Sequence, residues 1–236
     1  MNEKYTMVIW ITPVEETLEA QAERIFLTLS DVGRIDTLRP NFLTAKSKKL
    51  TKEFILSKEN ICDLILIEKD KLFPALGSSF SFFTSKNNDE SNRIRIVTGI
   101  TKPKFTNSIV IKIYSSDLIN DDEKLLQLIP LFKKLVKINK PFYACIVGQG
   151  NKDMYDGNYL NEKRQPQAAY WMNYWGKDII SNIDFEQVYR NGDLRKVHDI
   201  EEYEGGYFIN LTKEPTNIKN KEHMALQESI NLVLKL

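Results

Sequence analysis

The chain has 236 residues, 42% hydrophobic and 28% charged, with a formal net charge of +1. This balance supports a sizeable core and excludes the bulk positive field that draws proteins to nucleic acid or anionic membranes. Ten glycines and eight prolines are too few for long disordered or collagenous segments, and two cysteines are too few for a disulfide scaffold.

The start, Met1-Asn2-Glu3-Lys4-Tyr5-Thr6, carries an acidic residue and has no apolar segment of signal-peptide length. No stretch approaches the roughly 20 apolar residues of a membrane span. A cytoplasmic protein is expected, without membrane contact.

Tyr5 to Ile11, with Val8, Ile9, Trp10 and Ile11, predicts a first strand closed by Pro13. Thr12 is positioned to cap the helix that follows, with Glu15 and Glu16 near its positive end. Leu18, Ala22, Ile25, Phe26 and Leu29 recur at three- and four-residue spacing, one apolar face ending near Asp31-Val32-Gly33. Arg34 to Lys52, with Pro40, Asn41 and several lysines, reads as an irregular surface excursion. Asn60 to Lys71 reads as a helix, although Ile61–Ile67 also fits a strand.

From Ser79 the period changes to two. Phe80–Thr84, the turn Lys86–Ser91, Arg93–Gly99 and Asn107–Tyr114 make three consecutive strands, hence an antiparallel meander. Its buried face is expected to carry Ile94, Ile96, Ile109, Ile111 and Ile113. Asp121 and Asp122 open an amphipathic helix through Leu125, Leu128, Ile129, Phe132, Leu135 and Val136. Within it, Pro130 marks a kink or the true start. Phe142–Val147 reads as a buried strand, and Gly176–Ile183 as a short helix. Strands follow near Leu194–Ile200 and Tyr207–Thr212, joined by the turn Glu204-Gly205-Gly206, before a closing helix from Lys219 to Leu236. The segregation of strands from helices implies an α+β fold: a mainly antiparallel sheet with helices packed on one face. The chain reads as one domain over 1–236, with two subdomains meeting near 140–150 as the alternative division.

Chemical signatures are sparse. His198 and His223 lack a second ligand at metal-binding spacing. Cys145 sits between Ala144 and Ile146-Val147, an apolar setting unlike that of a reactive thiolate. Gly148-Gln149-Gly150 follows a strand, but Asn151-Lys152-Asp153 continues without a third glycine or a Lys-Ser/Thr pair. Asp153, Asp156 and Glu162 lie nearby, and sequence alone brings no two of them together. We therefore expect no catalytic residue, no metal and no cofactor. The alternatives are a hydrolase whose carboxylates converge only in three dimensions, and an oligomeric scaffold subunit.

Two features point to binding instead. Tyr170-Trp171-Met172-Asn173-Tyr174-Trp175 holds two of the three tryptophans, and such residues serve either a core or a docking surface. Charge is also uneven. Lys46, Lys48, Lys49, Lys52, Lys102 and Lys104 make the first half mildly basic, whereas Asp193, Asp199, Glu201, Glu202 and Glu204 form an acidic run.

The unit Phe80–Ile113, with Gly99 ending one strand and Asn107-Ser108-Ile109-Val110 restarting the next, and the block Ala169–Trp175 followed by a hairpin and a closing helix, together resemble the immunity protein 52 family of bacterial polymorphic toxin systems. The resemblance runs from about Met7 to Leu234 and rests on short motifs. It implies a small cytoplasmic α+β protein that binds and neutralises a cognate toxin encoded nearby, without contacting nucleic acid itself. Toxins beside this family are often nucleases, whose inhibitors tend to be acidic; a chain at +1 departs from that pattern. Tyr170, Tyr174 and Trp175 are the expected aromatic anchors, and Asp199, Glu201, Glu202 and Glu204 the expected steering charges.

Overall fold

The computed structural model describes residues 4–45, 52–86, 91–155, 159–161, 165–183, 185–192 and 194–236. Lys46, Lys48, Lys49, residues 87–90 of the expected turn, Asp156, Glu162 and Asp193 lie outside the described residues. The chain divides into two compact units. Val8–Pro141 forms the N-terminal unit, and residues 4–7 with Phe142–Leu236 form the C-terminal unit. Strand β1 (Tyr5–Ile11) gives its first three residues to the C-terminal unit and its last four to the N-terminal one.

In the N-terminal unit, helix α1 (Leu18–Val32) starts later than Thr12 allows. Its cap is Thr17, whose hydroxyl accepts from the Ala20 amide at 3.2 Å. Glu16 reaches forward to Arg24 at 2.6 Å instead of lining the first turn. The segment expected to be irregular supplies strands β2 (Phe42–Ala45) and β3 (Lys52–Glu53), with β2 paired antiparallel to a meander strand. Helix α2 (Lys58–Ile67) resolves the strand-or-helix ambiguity in favour of helix, capped by the Ser57 hydroxyl.

The meander follows as β4 (Leu76–Phe83), β5 (Arg93–Ile100) and β6 (Asn107–Ile113), adjacent and antiparallel. Register places Phe82 opposite Ile94 and Ile111, and Phe80 opposite Ile96 and Ile109. Since side chains alternate along a strand, these share one face, and all five predicted isoleucines are 0% exposed. Burying each contributes about 1.5–3 kcal/mol. Helix α1 lies over this face, where Arg24 donates to the Thr98 hydroxyl. Helix α2 lies over it too, where the Ser78 hydroxyl donates to the Ile65 carbonyl at 2.7 Å. The unit's strand order is β3-β2-β4-β5-β6-β1.

A short helix α3 (Ser116–Ile119) comes next, and the amphipathic helix expected from Asp121 is divided into α4 (Asp122–Leu126) and α5 (Leu128–Asn139). Pro130 occupies the first turn of α5, where its missing N–H is harmless. Asn139 then donates to the Thr28 hydroxyl at 3.0 Å, tying α5 to α1.

The C-terminal unit has strand order β1-β7-β8-β10-β9. Strand β7 (Tyr143–Gly148) is buried at every residue and leads into α6 (Gln149–Asp153). Strand β8 (Met172–Trp175) takes in the last four residues of the aromatic block, and Tyr170 and Trp171 lie just ahead of it. Helices α7 (Lys177–Ile180) and α8 (Phe185–Asn191) follow. The hairpin is β9 (Asp199–Tyr203) and β10 (Gly206–Asn210), its first strand starting later than Leu194 because 194–196 form a turn. Glu204 and Gly205 both have positive φ, 48° and 77°, the two-residue turn that matches strand twist. Helix α9 (Lys221–Leu234), capped by Asn220, closes the unit. Its Gln227 and Asn231 reach the Ala169 carbonyl at 2.7 Å and the Ala169 amide at 2.8 Å, and Gln227 also exchanges hydrogen bonds with Asn151. The overall class is α+β, as the segregation of elements implies.

Candidate docking surface

The aromatic block is core. Tyr170 and Trp175 are 0% exposed and Tyr174 is 3% exposed, so none of the three offers a surface to a partner. The reason is positional. Strand β8 lies between β7 and β10, with Tyr143, Trp175 and Tyr207 in one cross-strand row. Every residue of β8 is buried, whichever face its side chain takes, and Tyr170, just ahead of the strand, packs edge-on against Tyr155 and Tyr159. Tyr174 spends its hydroxyl on the Glu204 carbonyl at 3.0 Å, holding the hairpin turn. Gly206 is required beside it: a Cβ there would lie 2.4 Å from the Trp175 carbonyl oxygen and 2.9 Å from the Tyr174 ring.

Nor do the four acids form one patch. Strand alternation sends Asp199 and Glu201 to the face carrying Asn210 and Phe208, and Glu202 to the opposite face beside Tyr207. Glu204 stands in the turn. Of the seven residues expected from sequence, Glu202 lines a cleft.

That cleft, about 540 Å³, is bounded by α7, the residues after it, α8 and the hairpin. Ile180, Ile183 and Tyr207 supply apolar wall, Lys177 and Glu202 supply opposite charges, and Ser181 and Gln187 add polar groups. Tyr207 links it to an aromatic series. Trp175 meets Phe185 edge-on at 5.7 Å, Phe185 meets Tyr207 at 4.5 Å, and Tyr207 meets Tyr189 at 5.5 Å. Tyr189 is 41% exposed, so the aromatic material of the core reaches solvent beside the cleft. Tyrosine is among the residue types enriched at protein-binding hot spots, and a neighbouring carboxylate suits the polar rim of an interface. Tyr207 and Tyr189 were missed in the sequence because neither lies in the densest aromatic stretch. The turn was the available signal: a two-residue loop at Glu204-Gly205 pairs Tyr203 with Gly206 and therefore Glu202 with Tyr207.

A likeness to a solved structure bears on this unit and on the rest of the chain. A T6SS protein of Pseudomonas aeruginosa, PA0821, superposes with a TM-score of 0.73 at 11% identity, over 99% of this chain and 72% of that one. The two share a fold. No family model matches the sequence, and no curated protein matches it.

Cys145 is fully buried, and burial pushes its thiol up to about 12, away from thiolate chemistry. His198 is exposed just ahead of β9, and His223 uses Nδ1 to accept from the Asn217 amide at 3.2 Å. Gly148 and Gly150 lack positive φ, and the Gln149 amide is taken by the Lys4 carbonyl at 2.7 Å, so no phosphate-cradling turn forms there. Among the described residues no cluster of three His, Cys, Asp or Glu side chains is placed to hold a metal. No described helix is long and apolar enough to cross a membrane.

Proposed function

We propose that this chain is a non-catalytic immunity protein that binds a cognate toxin, encoded nearby, and neutralises it in the cytoplasm of the producing cell. The observation that carries the reading is the fold likeness to a T6SS protein over 99% of the chain. The resemblance of the meander and aromatic block to the immunity protein 52 family supports it from the sequence side. The cleft beside Glu202 and Tyr207 supports it from the surface side, since it offers a partner an aromatic rim and a carboxylate together.

Inhibition on this reading comes from occlusion. The toxin presents a cationic or amide-bearing side chain to Glu202 and an apolar one to Ile180, Ile183 and Tyr207. Co-expression of the neighbouring toxin gene with and without this chain tests it. Growth should be restored only when the chain is present, and the purified pair should co-elute in size-exclusion chromatography. Replacing Tyr207 by alanine should weaken the complex by about 2 kcal/mol while the free protein keeps its circular dichroism spectrum. Unchanged toxicity, with no complex at micromolar concentrations, would refute the proposal.

A further inference from the structure

Helices α1 and α2 cover one face of the β2–β4–β5–β6 sheet, and the opposite face carries a different chemistry. Register across the strands sets it out in rows. Phe42, Phe83, Arg93 and Lys112 form one row, and Thr44, Ser81, Arg95 and Val110 form the next. Arg95 and Lys112 are exposed. A groove of about 320 Å³ runs over this face, lined by Thr44, Ser79, Ser81, Phe83, Arg93 and Arg95.

Three features mark this groove as more than solvated surface. First, Arg93 and Lys112 are directly opposite each other, an arrangement of like charges that destabilises a sheet. Second, no carboxylate pairs with Arg93, Arg95 or Lys112 among the described residues. Glu53, in the same row as Phe42, instead pairs with Lys86 at 3.5 Å. Third, the Arg93 guanidinium is already held in place. It donates to the Ser81 hydroxyl at 3.1 Å and lies 5.7 Å from the centre of the Phe83 ring. Arginine has five N–H donors in a fixed fork, so donors remain for an incoming anion at little ordering cost.

We propose that this groove binds an extended acidic segment of a protein partner, with carboxylates at alternate positions meeting Arg93 and Arg95. Two residues along a strand span roughly 6.8 Å, so carboxylates at i and i+2 of an extended peptide match the spacing of the two arginines. The small serine side chains of β4 leave room for that peptide, and their hydroxyls add hydrogen-bonding groups. A protein segment fits better than nucleic acid, because the cationic stripe is short and ends at Phe83 and Phe42, and the chain as a whole has only one net positive charge. This inference goes beyond the toxin-neutralising reading and does not rest on it.

The probe is a fluorescein-labelled peptide, Thr-Glu-Val-Glu-Thr-Glu, titrated with the whole protein and read by anisotropy. Saturable binding is expected that weakens as salt is raised. R95Q should lower affinity about tenfold or more, and K112E should also lower it. Both should keep the wild-type circular dichroism spectrum, and K112E should melt no lower than wild type because it removes the like-charge pair. A peptide with glutamine for every glutamate should fail to bind, and one with its three glutamates consecutive should bind more weakly. The proposal is overturned if the alternating peptide does not saturate, or if folded R95Q binds it as wild type does. Tighter binding of a single-stranded oligonucleotide of equal charge would overturn it in favour of a nucleic-acid site.

Discussion

Trp171 and Trp175 make a matched pair for testing how the C-terminal unit is held together. Both are essentially buried, at 1% and 0% exposure, and they belong to the same aromatic block. They differ in one respect. Trp171 Nε1 donates to the Thr212 carbonyl at 3.2 Å, whereas Trp175 Nε1 is buried without a hydrogen-bond partner. Replacing either by phenylalanine removes similar volume, so the packing penalty roughly cancels in the comparison. At Trp171 the change also removes a hydrogen bond worth about 1 kcal/mol. That loss is softened because the Asn210 amide, turned so that its NH2 faces them, donates to the carbonyls of both Trp171 and Thr212. At Trp175 the change removes an unsatisfied donor whose burial costs about 1–3 kcal/mol. Trp171→Phe should therefore be the more destabilising by about 2 kcal/mol, or about 4–8 °C in melting temperature for a chain of this size. Urea titrations followed by far-ultraviolet circular dichroism give the comparison, with Trp175→Ala as a reference expected to cost about 3–5 kcal/mol. If Trp175→Phe proves equally or more costly, the unsatisfied-donor reasoning is wrong. If Trp175→Ala is silent, the residue is not core.

Alkaline pH should destabilise the C-terminal unit. Burial raises the Cys145 thiol to about 12 and also raises the Tyr143, Tyr159 and Tyr170 phenols, so the folded state keeps protons that the unfolded chain releases. This contribution is complete below about pH 9 and is lost as pH climbs from the unfolded values towards the folded ones. Denaturation midpoints against pH should fall on that limb, and Cys145→Val should make the fall shallower. Gly206→Ala should cost about 1–3 kcal/mol or more, since the Trp175 carbonyl oxygen is backbone and cannot swing aside; a midpoint equal to wild type would contradict the close approach. If the proposed toxin docks at the cleft, Glu202→Lys should slow its association, most of all at low salt, and Asp199→Lys on the other face should not. Stopped-flow rates that respond equally to both would remove the cleft from the interface.

The legible parts of this fold are those in which a local rule settles the matter. Strict alternation from Arg93 to Ile96 and from Asn107 to Ile113 permits one buried face, and that face is the one observed. Strands β2 and β3 were illegible because they are four and two residues long, and their pairing is decided by contacts distant in sequence. The start of α1 was misplaced because a threonine before a proline looks like a cap, while the hydroxyl that accepts the bond belongs to Thr17. For the docking surface, density of aromatic residues was the wrong guide. Tyr170 and Trp175 are concentrated where the sheet is deepest, and composition carries no depth. The hairpin turn carries more, because two residues of positive φ set a register, and that register joins Glu202 to Tyr207.

The path of the chain through its two units fixes the order in which they are completed. The chain contributes residues 4–7 to the C-terminal unit, leaves to build Val8–Pro141, and returns only at Phe142. During synthesis the N-terminal unit is therefore fully made while its neighbour has only a few residues in existence. The same path limits how the protein is dissected. A fragment beginning at Phe142 loses the Lys4 carbonyl that accepts from the Gln149 amide, and the Tyr5 ring that sits 6.1 Å from Trp171. The unit that carries the cleft is thus separable from its partner only by a permutation that rejoins residues 4–7 to it, and a cut at the apparent boundary removes part of its own core.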